Sequence, residues 1–360
     1  MDPVKLIPTP EVIPAPWQVF EFLGILTLIV HFLFINVALG GSLIALFSRL
    51  KGAGRQPGEN VPGLLAGKIP TTFALGINFG VAPLLFVQVL YGHFFYTSSV
   101  LMAVFWIMVI PLLIIGYYGT YIHARQHDTA PALATAALAF TSVILLYIVF
   151  AFQNNISLML SPGAWTAYFA NRSGTILRLG DPVLWPRYFH FVTASIAVAG
   201  LFIAVLWAFR QKKGAAGAGE KKRDGLRIFA IATMIQVVIG FWLLLALPKE
   251  VMLKFMGGNM LYTVTLFAGI VLALATIMTS LLGRLGSTVA VLLATVAVMV
   301  LLRTFLRTAF LAPYFNIEIL SVHPQVSAGV LFLVILVIGL VLVGYMIKWA
   351  AAPESRKEAV

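Results

Sequence analysis

Nine stretches of about 20 or more apolar residues constrain this chain more than any other feature of its sequence. They lie near residues 19–47, 71–96, 99–122, 131–158, 187–209, 227–247, 260–283, 287–312 and 325–348. A helix of about 20 apolar residues crosses the hydrocarbon core of a bilayer. Only 10% of the residues are charged, against about 25% in soluble domains. The sequence therefore predicts an all-α, polytopic transmembrane bundle of nine helices surrounded by the lipid bilayer.

Lysine and arginine are distributed unevenly between the two sets of alternate connections. One set carries Arg49, Lys51, Arg55, Lys68, Arg125, Arg210, Lys212, Lys213, Lys221, Lys222, Arg223, Arg227, Arg284, Lys348, Arg356 and Lys357. The other set carries Lys5, Arg172, Arg178, Arg187, Lys249 and Lys254. Positive charge is retained on the cytoplasmic side, so we expect the N-terminus outside and the C-terminus inside. The same topology accounts for the net charge of +12 without nucleic acid.

The composition also limits the domain organisation and the metal chemistry. A basic Gly/Ala/Lys inner loop at 211–226 is expected to separate helices one to five, in residues 1–210, from helices six to nine, in residues 227–360. The chain has no cysteine, which excludes disulfides, iron–sulfur clusters and covalently attached c-type heme. Any bound metal would therefore be held by histidine, methionine or carboxylate.

Four of the six histidines fall in the outer half of the predicted bundle: His31, His93, His190 and His323. Ionisable side chains at membrane depth are expensive and are candidates for function. A lone histidine of this kind is also often a hydrogen-bonded packing residue, and that alternative stays open for each one. The other two histidines, at positions 123 and 127, are interpreted as part of a solvated basic loop.

Counting residues along the helices assigns these histidines to different depths. His31 follows Trp17 by fourteen residues, which places it roughly 20 Å inward at 1.5 Å per residue. His93 and His190 are expected within roughly 10 Å of the outer surface. One metal ion cannot join both levels, so the pattern predicts at least two centres.

Other residues in the apolar runs fit a flat, anionic cofactor. Arg303 and Arg307 are one helical turn apart and would suit paired propionates or an anionic headgroup, although ordinary interhelical hydrogen bonding explains them equally well. Small residues let a macrocycle approach the backbone, or let two helices pack closely. The glycines of helices one and two that allow either reading are Gly40, Gly41, Gly76, Gly80 and Gly92.

Several strings resemble subunit I of the cytochrome bd-type quinol oxidases. The strings are His31-Phe32-Leu33-Phe34 with Leu39-Gly40, Gly76-Ile77-Asn78-Phe79, Leu101-Met102-Ala103, and Asp181-Pro182-Val183 leading through Arg187-Tyr188 to His190. They occur in the family's order, and the similarity covers about residues 19 to 240. The resemblance implies that His31 is the axial ligand of a high-spin heme b, and that His190 is one ligand of a low-spin heme b.

The chain departs from this family at residues that carry the oxygen chemistry. Ser99 and Ile107 stand where the family has glutamates, and the string beginning at Tyr262 lacks the family's arginine and methionine ligand. The long quinol-binding loop after helix six is also missing, because only about a dozen residues separate Leu247 from Met260. Reduction of oxygen to water consumes protons that carboxylates deliver. The heme scaffold therefore looks retained without the oxidase reaction.

The expected function is that of a heme b membrane subunit in a quinol-dependent oxidoreductase. Electrons from quinol would pass to a periplasmic c-type cytochrome or a similar redox subunit, and a further membrane subunit is expected in a bacterial or archaeal cytoplasmic membrane. His93, and after it His323, is the candidate for the missing second axial ligand opposite His190. The alternatives are a divergent terminal oxidase, and a transporter or channel with Gln153 to Asn155 lining its path.

Overall fold

The computed structural model describes residues 3–52 and 60–350. It is all-α, and within the described residues nine helices are long and apolar enough to cross a membrane. The prediction of a nine-span, multi-pass membrane protein is confirmed. The orientation of the chain stays a prediction. Arg55, Arg356 and Lys357, which contribute to the predicted charge asymmetry, lie outside the described residues.

The helices follow the apolar runs with extensions of several residues into the connections. They are α1 (Trp17–Leu50), α2 (Val61–Ala66), α3 (Ile69–Leu101), α4 (Ala103–Ile107), α5 (Val109–Arg125), α6 (Pro131–Met159), α7 (Leu184–Lys212), α8 (Ala218–Ala246), α9 (Lys249–Leu253), α10 (Met260–Leu281), α11 (Leu285–Leu311) and α12 (Val326–Ala350). Two of the nine spans consist of paired helices, α2 with α3 and α4 with α5.

Close helix contacts through small residues organise the centre of the bundle. A Cβ atom on Gly40 of α1 would lie 1.9 Å from the carbonyl oxygen of Ser195 on α7, and one on Gly225 of α8 would lie 2.7 Å from the backbone nitrogen of Ala204 on α7. The backbones can approach this closely only because glycine has no side chain. Helix α3 packs on the other side of α1, where Gly76 faces the backbone of Ile35.

The predicted inner loop at 211–226 is largely helical. Helix α7 continues to Lys212 and α8 begins at Ala218, so residues 213–217 form the connection. Gly214 and Gly217 adopt the left-handed conformation there, with φ values of 81° and 68°, and this reverses the chain within a short distance. The two helices then pack along their length across the expected boundary.

Two further features lie at the periphery of the bundle. The N-terminal segment is joined to the segment before α12, because the Ile13 N–H donates to the Ser321 carbonyl at 2.9 Å and the His323 N–H donates to the Ile13 carbonyl at 2.9 Å. The side chains of α12 from Val326 to Trp349 are exposed almost throughout. This helix therefore presents apolar surface to lipid or to another membrane protein.

Candidate functional site

The His31 imidazole lies between α1 and α3 in an orientation typical of a metal ligand. Its Nδ1 is 2.8 Å from the carbonyl oxygen of Gly76. A carbonyl only accepts hydrogen bonds, so Nδ1 carries the proton and Nε2 keeps its lone pair. Gly80 makes room for the ring, since a Cβ there would lie 2.7 Å from Cε1 of His31. Of the five predicted glycines, Gly80 is thus the one that faces a candidate ligand.

The His190 imidazole lies between α7 and α8. Its Nε2 is 3.2 Å from the Nε2 of Gln236, while its Nδ1 is buried and has no hydrogen-bond partner among the described residues. Gly240 lies beside the ring, with room for ordinary contact at 3.5 Å from Cε1. Whichever nitrogen is protonated, one buried ring nitrogen remains unsatisfied. A buried polar atom of this kind is costly unless a ligand completes it.

The register between α1 and α7 is fixed by two contacts across their interface. The Ser195 hydroxyl donates to Oδ1 of Asn36 at 2.8 Å, and these residues are 159 positions apart. The rings of Phe32 and Phe191, which are separated by the same number of positions, contact edge to face at 5.5 Å. Residues with this separation therefore face one another at the same level of the helix pair.

His31 and His190 are also 159 positions apart, so they lie at the same level. The sequence-based assignment to two depths is therefore wrong. It assumed that both helices start at one interface, whereas α1 begins fourteen residues before His31 and α7 begins six residues before His190. The first helix extends about 12 Å further outward than the seventh. The two imidazoles still belong to separate sites, since His31 faces α3 and His190 faces α8.

His93 lies well outward of this level. The His31 ring is beside Gly80, and His93 follows Gly80 by thirteen residues on α3, or about 20 Å along the axis. Its ring packs against Phe94 and Phe315 at 4.4 and 4.7 Å, and its buried Nε2 has no partner among the described residues. Two nitrogens bound to one iron are only about 4 Å apart. The prediction that His93 opposes His190 is therefore contradicted.

His323 is also remote from the two candidate ligands. It is exposed beside the N-terminal segment, and a surface pocket there is lined by Val12, Ile13, Pro14, His323 and Gln325. Its backbone N–H is used by Ile13, and its side chain does not enter the bundle. The second ligand of His190 consequently remains unassigned, and Gln236 is the side chain that occupies the adjoining space.

Three arginines bring positive charge close to the two imidazoles, and one of them, Arg187, precedes His190 by three residues on α7. Arg303 lies within electrostatic range of His31, of Arg187 and of Arg307. On Arg187, Nε and Nη1 are buried without a partner among the described residues. Asp181 lies within electrostatic range of Arg187, whereas the charges that act on Arg303 are the like charges of Arg187 and Arg307. Like charges at membrane depth are costly, so this group of guanidinium ions suits an anionic ligand. The sequence alone could not place Arg187 beside Arg303, because that requires the register between their helices.

Arg307 and Arg303, which the sequence predicts as a pair, lie in different surroundings. Its guanidinium carbon lies 4.2 Å from the centre of the Tyr91 ring on α3, in a cation–π contact. Glu21 of α1 lies within its electrostatic range. The expected pair on α11 is thus divided between two environments, one toward Arg187 and one toward Tyr91.

A buried polar cluster at the other end of the bundle was missed by the sequence interpretation. His123 is fully buried with Nδ1 3.1 Å from the Ala134 carbonyl, and His127 has Nδ1 2.7 Å from Nη1 of Arg49. Burial, and after it the positive charge of Arg49, lowers the pKa of His127. The expectation of a solvated loop is therefore wrong. No local signal could reveal it, because Arg49 is distant in sequence from its partners.

Asn154 anchors the segment between α6 and α7, and Asn155 joins α6 to α3. Asn154 Oδ1 accepts from the Arg178 N–H at 3.0 Å, and Asn155 Nδ2 donates to the Ser99 hydroxyl at 3.0 Å. One turn further on, the Ser157 hydroxyl donates to Asp181. These bonds satisfy the two asparagines with fixed protein partners, whereas the Oε1 of Gln153 is buried without a partner among the described residues.

Comparison with protein-family models, with curated proteins and with solved structures found no significant match for this chain. The resemblance to the bd-type oxidases therefore depends on the quoted strings and on the positions of His31 and His190. Among the described residues, no group of three or more histidine or acidic side chains could hold a metal ion by itself. A metal at either imidazole would need further ligands beyond those that the described residues supply, and the four nitrogens of a porphyrin would provide them.

Proposed function

We propose that this protein is a heme b-containing membrane subunit that oxidises quinol and passes the electrons to a redox partner at the outer face. The observation that carries the proposal is the His31 imidazole, whose Nδ1 donates to the Gly76 carbonyl at 2.8 Å while Nε2 remains free. Histidines that bind metals almost always donate their other ring N–H to a carbonyl or carboxylate, which fixes the tautomer and the ring orientation.

His190 would hold the second group through the ring nitrogen that now lacks a partner. With Nδ1 as the ligand atom, the ring proton would sit on Nε2, which faces the Gln236 amide. Gln236 could then hydrogen-bond to the remaining N–H. The contact between His190 on α7 and Gln236 on α8 would thus be kept, and the unpartnered Nδ1 of His190 would bind the iron.

Arg187 and Arg303 would neutralise the carboxylates of such a group. They lie within electrostatic range of one another, and Arg303 lies within electrostatic range of His31. Planar guanidinium groups bind carboxylates in a bidentate manner. Bound heme b supplies one-electron transfer at its iron. The protein's own contribution would be positioning, exclusion of water and the electrostatic environment that sets the potential.

The two rival functions receive less support from the same residues. For a terminal oxidase, Ser99 at the position of a family carboxylate is hydrogen-bonded to Asn155, and Ile107 is 63% exposed on the outside of the bundle. Neither can donate a proton to bound oxygen. For a transporter, a polar path through Gln153, Asn154 and Asn155 would need side chains free to meet a solute. Both asparagine amides are engaged, and only the Gln153 Oε1 lacks a partner among the described residues.

The proposal is tested by the optical spectrum and the pyridine hemochrome content of the purified protein. We expect heme b in the wild type and loss of separate heme signals in His31→Ala and His190→Ala. His323→Ala is the matched control, because its side chain is exposed and remote, and its heme content should equal that of the wild type. A colourless wild type, or full heme content in both bundle variants, would overturn the proposal.

A further inference from the structure

Four polar side chains from four helices meet near the outer ends of α1, α3, α10 and α11. The Arg307 guanidinium lies over the Tyr91 ring, Glu21 lies within electrostatic range of Arg307, and Tyr262 lies within electrostatic range of both Tyr91 and Glu21. None of these residues is a candidate heme ligand. We call Glu21, Tyr91, Tyr262 and Arg307 the outer polar cluster.

The members of the outer polar cluster keep unused hydrogen-bonding capacity. Neither the Glu21 carboxylate nor the hydroxyls of Tyr91 and Tyr262 have a hydrogen bond or an ion pair within the described part of the chain. Glu21 and Tyr262 are partly exposed, whereas Tyr91 is buried. The Nε of Arg307 is buried without a partner among the described residues. Free donors and acceptors that converge within an apolar bundle indicate a binding site for a small polar group.

The surroundings of the cluster are aromatic. Tyr262 stacks on Phe305 with ring centres 4.7 Å apart and planes at 12°, and Tyr91 contacts Phe315 edge to face at 5.9 Å. Apolar walls with a few polar groups suit a flat aromatic ring that carries two oxygens. The cluster also lies inside candidate spans, where a lipid-soluble molecule arrives from the membrane and not from water.

Glu21 supplies a proton acceptor, which the oxidation of a hydroquinone requires. The only other acidic residues within candidate spans of the described chain, Glu220 and Asp224, lie in the first two turns of α8, at the opposite side by the predicted topology. A carboxylate can act as a general base when it reaches the proton that it removes. Its position ten residues before His31, about 15 Å along α1, separates the proton acceptor from the electron acceptor.

We propose that the outer polar cluster binds the headgroup of a membrane quinol and accepts its first proton on Glu21. This inference rests on the proposed function, which supplies the oxidant. In the reaction two O–H bonds of the hydroquinone break. One proton passes to the Glu21 carboxylate and the other to water at the outer surface. The two electrons would be taken up by the two ferric hemes that His31 and His190 would hold. Once Glu21 has passed its proton to water, the products are quinone and two protons released outside.

Two variants separate this site from the heme sites. Glu21→Gln keeps the shape of the side chain and removes the base, and Tyr262→Phe keeps the stacking on Phe305 and removes the hydroxyl. Glu318→Gln is the matched control, since Glu318 is an exposed acid in the segment that follows α11. Each protein is titrated with decylubiquinone by calorimetry, its heme content is measured, and its reduction by decylubiquinol is followed at several pH values.

We expect Glu21→Gln to lower the rate of reduction by decylubiquinol about 100-fold or more and to abolish its dependence on pH. Reduction by dithionite and heme content should be unchanged. Tyr262→Phe should weaken the binding of decylubiquinone several-fold. Equal rates and equal binding in Glu21→Gln and Glu318→Gln would overturn the inference while leaving the heme proposal intact. If the wild type contains no heme, the proposed function fails, and the binding titration alone decides whether the cluster takes a quinone.

Discussion

Replacing Gly80 by alanine should loosen the His31 imidazole without touching the residue that would bind iron. The added Cβ would lie 2.7 Å from Cε1 and 2.8 Å from Nδ1 of His31. An ordinary separation between such atoms is about 3.5 Å. The ring would therefore have to move by about 0.8 Å, because α3 is held against α1 over most of its length.

A displacement of this size is enough to break the hydrogen bond that orients the ring. The distance from Nδ1 to the Gly76 oxygen would grow from 2.8 Å to as much as about 3.6 Å, which is no longer a hydrogen bond. Losing one such bond costs about 1 kcal/mol in stability, and losing the outer-shell partner of a metal ligand typically lowers metal affinity about 10- to 100-fold. We expect that range for the heme at His31.

The assay is titration of the heme-depleted protein with hemin, followed by absorption. Gly240→Ala is the informative control, because its Cβ would lie at an ordinary 3.5 Å from His190 and should leave the site at His31 unaltered. Gly286→Ala, where nothing lies within 4 Å, should alter neither site. Wild-type affinity for both hemes in Gly80→Ala would refute the reasoning about His31.

Further predictions concern packing, charge and pH. Gly40→Ala would place Cβ 1.9 Å from the Ser195 carbonyl oxygen, so we expect failure to fold or a large drop in the melting temperature in detergent. An unchanged melting curve would contradict the α1–α7 contact. Arg187→Met should not destabilise the heme-free protein, because it removes a buried charge without a full set of partners, yet it should weaken hemin binding several-fold in the same titration. Because the pKa of His127 is lowered in the fold, its contribution to stability is present above its ordinary pKa of about 6.5 and is lost as the pH falls below that value. The melting curves of His127→Asn at pH 8 and pH 5 should therefore converge. Equal pH dependence of melting in the wild type and the variant would count against the Arg49 contact.

The nine spans could be predicted because each crossing requires about 20 apolar residues, and such a run is visible in the sequence of every spanning helix. The structure confirms all nine, including α1 and α7 that carry His31 and His190. The buried amides of Asn154 and Asn155 were equally predictable, since backbone and side-chain polar groups in a bundle must find partners.

The relative depth of the candidate ligands could not be obtained in the same way. Counting from Trp17 treats the start of each helix as a common reference, and the α1–α7 register shows that it is not. Register is decided by pairs such as Asn36 with Ser195, which are 159 positions apart and have no local signature. For the same reason the burial of His127 against Arg49, 78 positions away, could not be predicted from the sequence.

The measurement that tests the central claim most directly is a cryo-electron microscopy map of the purified wild-type protein in lipid nanodiscs. The account predicts two flat porphyrin densities, one joined to the His31 imidazole and one joined to the His190 imidazole, at the same level and on opposite sides of the α1–α7 contact. A map in which both side chains contact only neighbouring protein would contradict it.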